Sequence, residues 1–192
     1  MAEIERIPVN MGNFEVNAFV VHAPKSDIIV DAGAEPETIL SRLKQPVAAI
    51  LITHGHRDHI NALDEIRQET QAPVYMHPED AEGASIRDYE PLEDGGELEI
   101  AGETIRVLHT PGHSPGSVTF VVGSDQIVGD LILPGSVGRT DISGASWEEI
   151  EGSVRKVMPF WDGSTRLFTG HGPVLNAFEE LEGNPYLPFG VV

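Results

Sequence analysis

The sequence predicts an α/β chain with two layers of strands to cover, and three observations carry this reading. Short apolar runs of strand length alternate with segments of helical spacing. One run, Val47 to Thr53 (VAAILIT), is apolar almost throughout and reads as a buried strand. Gly and Pro number 20 and 14 and are scattered, which marks many short elements joined by tight turns.

Each element follows from its own pattern. Asn17 to His22 and Ser26 to Asp31 read as two short strands joined by a turn containing Pro24. Pro36 opens a helix carrying Ile39, Leu40 and Leu43, and Pro46 follows its end. After the buried strand, Ile60 to Gln71 reads as one helix with Leu63 and Ile66 facing inward. Val74 to His77, Glu97 to Ile100, Thr104 to His109, Ser117 to Val122 and Gln126 to Gly129 read as further strands. Trp147 to Met158 is a helix with Ile150, Val154, Val157 and Met158 on one face, and Arg166 to Thr169 is the last strand.

The length of 192 residues suits one domain spanning 1–192, and no linker or repeat divides it. At 40% hydrophobic and 22% charged, the composition is that of a globular protein. The charge is unusual: 31 acidic against 12 basic residues give a net −19. The acidic residues run from Glu3 to Glu182, and Lys occurs only at 25, 44 and 156. Such a surface repels nucleic acid and anionic lipid, so neither is expected as a partner. It also fits a high-salt cytoplasm, which unfolding measured against KCl would test. No apolar run approaches the ~18 residues needed to cross a bilayer. Met1 to Arg6 holds two Glu and no apolar core, unlike a secretory signal, so the cytoplasm is the expected compartment. With no Cys there is no disulfide, thiolate metal site or cysteine nucleophile.

The chemistry concentrates in THGHRDH, Thr53 to His59, directly after the buried strand. His54, His56, Asp58 and His59 share one tight turn, where side chains two residues apart can converge on a cation. Imidazole and carboxylate suit Zn, Fe or Mn. A polar connecting loop is the plainer reading, but it gives no reason for three His and an Asp within six residues. Three more candidates lie at or just beyond strand ends beside Gly or Pro: His113 in PGHSPG, Asp130 in GD and His171 in GHG. Small neighbours let the backbone approach a bound group closely. Together these are seven ligands, five His and two Asp, enough for two adjacent divalent ions.

THGHRDH, TPGHSPGS, Gly129-Asp130, GRTD (Gly138 to Asp141), TGHGP (Thr169 to Pro173) and the late NPYL (Asn184 to Leu187) resemble the metallo-β-lactamase-fold hydrolases. Within that superfamily the chain looks like the short glyoxalase II-like (hydroxyacylglutathione hydrolase-like) proteins, over nearly its whole length. The resemblance implies a four-layer αββα sandwich with a dinuclear site at the loop edge of the sheets. It implies His54, His56 and His113 on one metal, Asp58, His59 and His171 on the other, and Asp130 bridging. Asp58 would also orient the nucleophile; a general base is its alternative role.

Asp31 resembles a strand-end Asp of the fold, which would accept a ligand imidazole N–H; a turn-initiating Asp is the plainer reading. Arg139 resembles a position that grips the carboxylate of a thiol peptide, with an internal salt bridge to Asp141 as the alternative. His22 and His77 read as structural or surface residues, and His109 as a packed strand-end residue. Trp147 and Trp161 belong to the core or to a substrate rim.

The expected activity is hydrolysis of a small-molecule thioester, such as an S-2-hydroxyacyl thiol, or a related ester. Two divalent ions, most readily Zn with Fe or Mn as alternatives, lower the pKa of a bridging water toward ~7 and polarise the carbonyl. A thiolate, with a pKa of ~8.5, leaves with little acid assistance. Two departures from the resembled group matter. Only Pro173 to Val192 follow the last ligand, too few for the helical domain that contacts glutathione, and Ile60-Asn61-Ala62 replaces a Gly-rich turn. The alternatives are a mono-iron persulfide dioxygenase using His54, His113 and Asp130, a lactonase, and a non-catalytic metal-binding module. Monomer and homodimer are both open.

Overall fold

A computed structural model describes residues 2–187. The first sheet runs in the order β1 (Glu3–Met11), β2 (Phe14–His22), β3 (Asp27–Val30), β4 (Val47–Leu51), β5 (Val74–Met76) and β6 (Glu90–Pro91). The β1–β2–β3 pairs are antiparallel and the β3–β4–β5–β6 pairs parallel. The second sheet contains β7 (Glu97–Ile100), β8 (Glu103–His109), β9 (Val118–Val122) and β10 (Asp125–Gly129), antiparallel in sequence. A short hairpin, β11 (Ile132–Leu133) with β12 (Ser136–Val137), follows. Then β13 (Arg166–Thr169) joins β10 in parallel, and β14 (Leu175–Asn176) closes the edge.

Period-two alternation sorts the strand residues into separate cores. On β2, Phe19 and Val21 face the second sheet, while Val16, Ala18 and Val20 face outward. On β4, Ala49 and Leu51 point between the sheets and Ile50 away from them, which is why the whole run had to be apolar. The inter-sheet layer is completed by Ile105, Val107, Phe120, Ile127 and Phe168. Phe19 meets Phe168 edge to face, with centroids 5.8 Å apart, across the two sheets.

Helices α1 (Pro36–Leu40), α2 (Arg57–Ile60), α3 (Leu63–Thr70) and α4 (Pro78–Gly83) cover the first sheet through Ile39, Leu63, Ile66 and Ala81. Helices α5 (Trp147–Val157) and α6 (Ala177–Gly183) cover the second through Ile150, Val154, Val157 and Ala177. Ser146 caps α5 by accepting from the Glu149 N–H, and Glu148 and Glu149 in the first turn complement the helix dipole. The result is the expected αββα sandwich. Among the described residues no helix is long and apolar enough to cross a membrane.

Several expectations need correction. The helix expected over Ile60–Gln71 is two helices, α2 and α3, broken at Asn61–Ala62. There the Ala62 N–H turns away to the Ala32 carbonyl, while the Ala32 N–H binds the His59 carbonyl, so the chain is stapled to the end of β3. The strand expected over Ser26–Asp31 stops at Val30, because Asp31 adopts φ 59°. The N-terminal segment, to which the sequence pattern assigns no element, forms β1, burying Ile4, Ile7 and Val9. Helices α4 and α6 and the short strands β6, β11, β12 and β14 also went unpredicted.

Candidate metal centre

All the predicted ligands meet at one edge of the sandwich, where loops leave the ends of the strands. THGHRDH continues from β4, Asp130 follows β10, His171 follows β13, and His113 comes from the β8–β9 loop. Parallel pairing of β3 with β4, and of β10 with β13, aims these ends the same way.

The ring nitrogens are sorted by their outer partners. Nδ1 of His59 lies 2.7 Å from Asp31 Oδ2, and Nδ1 of His171 lies 2.7 Å from the Glu15 carbonyl. Nδ1 of His113 lies 3.1 Å from the Arg139 carbonyl, and Nδ1 of His54 lies 3.1 Å from Thr53 Oγ1. A carbonyl or carboxylate at Nδ1 fixes the proton there and leaves Nε2 free.

Those Nε2 atoms face the carboxylates. His59 Nε2 is 3.6 Å from Asp130 Oδ1 and 3.8 Å from Asp58 Oδ2. His113 Nε2 is 3.4 Å from Asp130 Oδ2, and His171 Nε2 is 3.5 Å from the same oxygen and 3.3 Å from Asp58 Oδ2. His56 turns Nδ1 inward, 2.8 Å from His113 Nε2. Three donor groups result: His54, His56 and His113; His54, His59 and Asp130; Asp58, His59 and His171. Asp130 thus stands between the two outer groups.

These residues fit bound cations. His54 Nε2, His59 Nε2 and Asp130 Oδ1 are buried and have no hydrogen-bond partner. A buried polar atom left unpaired costs about 1–3 kcal/mol, a cost that coordination removes. Electrostatics agrees. Burial opposes ionisation of Asp130, but His171, His59 and His54 outweigh it and hold the carboxyl far below the usual range. Burial also opposes a proton on His171, yet Asp130 and Asp58 push its pKa up to about 10. Burial and the neighbouring His59 keep His54 well below its ordinary value, as a neutral donor requires. Gly170 makes the approach possible: a Cβ there would overlap Asp130 Oδ1 and come within 2.7 Å of His59 Cε1.

A cavity of about 610 Å³ opens over the cluster. Phe14, Leu133 and Ile142 supply apolar wall, while Arg57 and Arg139 reach its mouth. Phe14 is 49% exposed and its ring centroid lies 6.2 Å from that of His171. Sequence reasoning missed it, because only the β1–β2 turn brings it over the site.

Asp31 is bound to His59 rather than serving as a plain turn residue; it also accepts from the Thr53 N–H (2.8 Å) and hydroxyl (2.7 Å). Arg139 makes the internal salt bridge weighed for it, to Asp141 (Nε–Oδ1 2.9 Å), and also lines the cavity. Trp147 is exposed and meets Tyr186 edge to face, and Trp161 packs against the α5 core and donates to Gln126. His22 is structural, bonded to Asp27 and Glu5.

His77 and His109 lie apart from the ligands, with Glu79 nearby. Their rings stack face to face at 4.1 Å and 5°, so no ion can lie in both ring planes.

Residues 11–186 match the metallo-β-lactamase superfamily model. A probable metallo-hydrolase, YqgX of Bacillus subtilis, is 33% identical over 95% of this chain and 96% of its own. The hydroxyacylglutathione hydrolase GloC of Haemophilus influenzae is 27% identical over 96% and 97%. Among solved structures, the BLEG-1 B3 metallo-β-lactamase superposes with TM-score 0.88 at 31% identity, covering 97% of this chain and 100% of that one. TTHA1623, in a di-iron-bound form, gives TM-score 0.82 at 35% identity, covering 94% and 99%. Fold, ligand geometry and sequence agree, and the chain belongs to the metallo-β-lactamase superfamily of metal-dependent hydrolases.

Proposed function

We propose that this protein is a two-metal hydrolase of a small-molecule thioester, of the S-2-hydroxyacyl thiol kind, or of a related ester. The observation that carries the reading is the Asp130 carboxylate, which has one oxygen toward His59 and the other toward His113 and His171. A carboxylate so placed suits a bridge. His54, His56 and His113 would hold one ion, and Asp58, His59 and His171 the other.

Two divalent ions held there supply a water of lowered pKa and a Lewis acid for the scissile carbonyl. The chain's own residues do the rest. Asp58 lines the cavity and would accept a hydrogen bond from the attacking water and so orient it. Phe14, Leu133 and Ile142 exclude water from one side of a bound acyl group. Arg57 lends the cavity positive charge in a chain of net −19, and Arg139 lines it while paired with Asp141, an arrangement that suits an anionic thiol carrier. No acid residue need stand at the leaving group, since a thiolate departs unassisted. GloC, named as a hydroxyacylglutathione hydrolase, supports this substrate class.

The test is a panel of thioesters, including S-lactoylglutathione, beside lactones, a β-lactam and a persulfide. Thioester turnover that is lost in a folded Asp58→Ala variant is the expected result. Oxygen consumption with a persulfide and one iron per chain, or turnover unchanged by Asp58→Ala, would overturn the reading.

A further inference from the structure

Asp80, in the first turn of α4, is a buried carboxylate whose bonded donors are all neutral. Its Oδ2 accepts from the Gly55 N–H (2.7 Å) and the Ser114 hydroxyl (2.6 Å), and its Oδ1 accepts from the Gly116 N–H (2.6 Å). These donors belong to two separate loops. Gly55 lies between His54 and His56, whereas Ser114 and Gly116 directly follow His113.

Both loops close tightly on Asp80. A Cβ on Gly116 would stand 2.6 Å from the Asp80 nitrogen, and one on Gly55 would stand 2.9 Å from its carbonyl oxygen. The glycines therefore leave room for the backbone and side chain of this one residue.

We propose that Asp80 is a positioning residue that clamps the two loops and so sets the spacing of His54, His56 and His113. The inference rests on the two-ion reading and concerns only the first ion. Asp58, His59 and His171 take no bond from Asp80; their outer contacts run to Asp31 and Glu15. A carboxylate is required because all three partners donate. An amide would turn an NH₂ toward at least one of those donors, leaving two donors facing each other in a buried site.

The test titrates the metal-free full-length protein with cobalt(II), following visible absorption and ions bound per chain, with far-ultraviolet circular dichroism as the fold control. Asp80→Asn should weaken the first ion about 10–100-fold and leave the second unchanged. Ser114→Ala keeps both backbone bonds and should weaken the first ion about 10-fold, the lower end of what one hydrogen bond to a charged group is worth. It decides the question if Asp80→Asn does not fold. A wild-type chain that binds two ions, beside variants that bind both unchanged or lose both equally, overturns this inference alone. A wild-type chain that binds no cobalt overturns the two-ion reading, and the inference with it.

Discussion

Replacing Asp31 by Asn changes one atom at the most informative place outside the ligands. Asp31 adopts φ 59°, a region that Asn and Asp enter more readily than other side chains, so the backbone tolerates the change. Oδ1 still accepts from the Thr53 N–H at 2.8 Å. The altered atom is Oδ2, which accepts from His59 Nδ1 and from the Thr53 hydroxyl, each at 2.7 Å. An amide nitrogen there donates instead. His59 must then offer a bare Nδ1 and carry its proton on Nε2, the atom that faces Asp58 and Asp130. A protonated Nε2 has no lone pair for an ion.

Losses of such supporting contacts weaken metal affinity about 10–100-fold, which is about 1.4–2.8 kcal/mol, here chiefly at one of two sites. The assay is competition with a chromophoric chelator, run beside denaturant unfolding of the metal-free protein. A strong loss at the site that holds His59 is the expected pattern, with a smaller loss at the site of His54, whose Nδ1 shares the Thr53 hydroxyl, and with unfolding still cooperative. Wild-type affinity at both sites would refute the claim that Asp31 selects the His59 tautomer.

Other perturbations reach different parts of the molecule. Gly170→Ala places a methyl group against Asp130 and His59; displacing ligands by about 1 Å should lower kcat roughly 10²-fold and reduce bound metal, and full metal content with normal kcat would contradict it. His171 carries a proton in the metal-free protein because its pKa is pushed up to about 10 by Asp130 and Asp58 against the effect of burial. Ion uptake at pH 7 must displace that proton, so affinity should tighten as pH rises toward 10. Calorimetric heats that do not depend on the buffer's ionisation enthalpy would count against this.

Asp27 tests acid stability away from the site. Burial raises its pKa, but the His22 imidazole and the Gln45 and Lys44 amides bring it below the ordinary value. A depressed folded value means the contribution is complete above the unfolded pKa near 3.9 and is lost as pH falls through the folded one. Asp27→Asn should therefore be less stable at pH 7 and show a flatter acid limb below about pH 4. Urea midpoints that fall in parallel with wild type through that range would refute it.

The ligands were legible in sequence because the first four lie within six residues and the rest sit at strand ends beside Gly or Pro. Local spacing carries that signal. The central strands were legible for a similar reason, since β4 is buried on both faces and cannot hide polar residues. What was lost depends on contacts between distant segments. Strand β1 mixes Glu3, Glu5, Arg6 and Pro8 with its buried residues, and only pairing with β2 makes it a strand. The break between α2 and α3 comes from bonds to Ala32, about thirty residues earlier, which no helical periodicity reports.

The same division runs through the site. Asp31 was visible as a strand-end Asp, but its bond to His59 depends on β3 and β4 lying side by side. Asp80 gave no signal: HPEDAEG reads as a polar helix start, and its role arises from two loops folding onto it. Phe14 lies outside the strand expected from Asn17 to His22, and only the hairpin turn carries it to the cavity.

In the proposed centre, seven side chains form two adjoining cation sites sharing Asp130. Native mass spectrometry of the purified chain, stripped and then titrated with zinc, tests this most directly. Two ions per chain are expected, falling to one or none in Asp130→Ala. Saturation at a single ion per chain, or two ions retained without the Asp130 carboxylate, would contradict it.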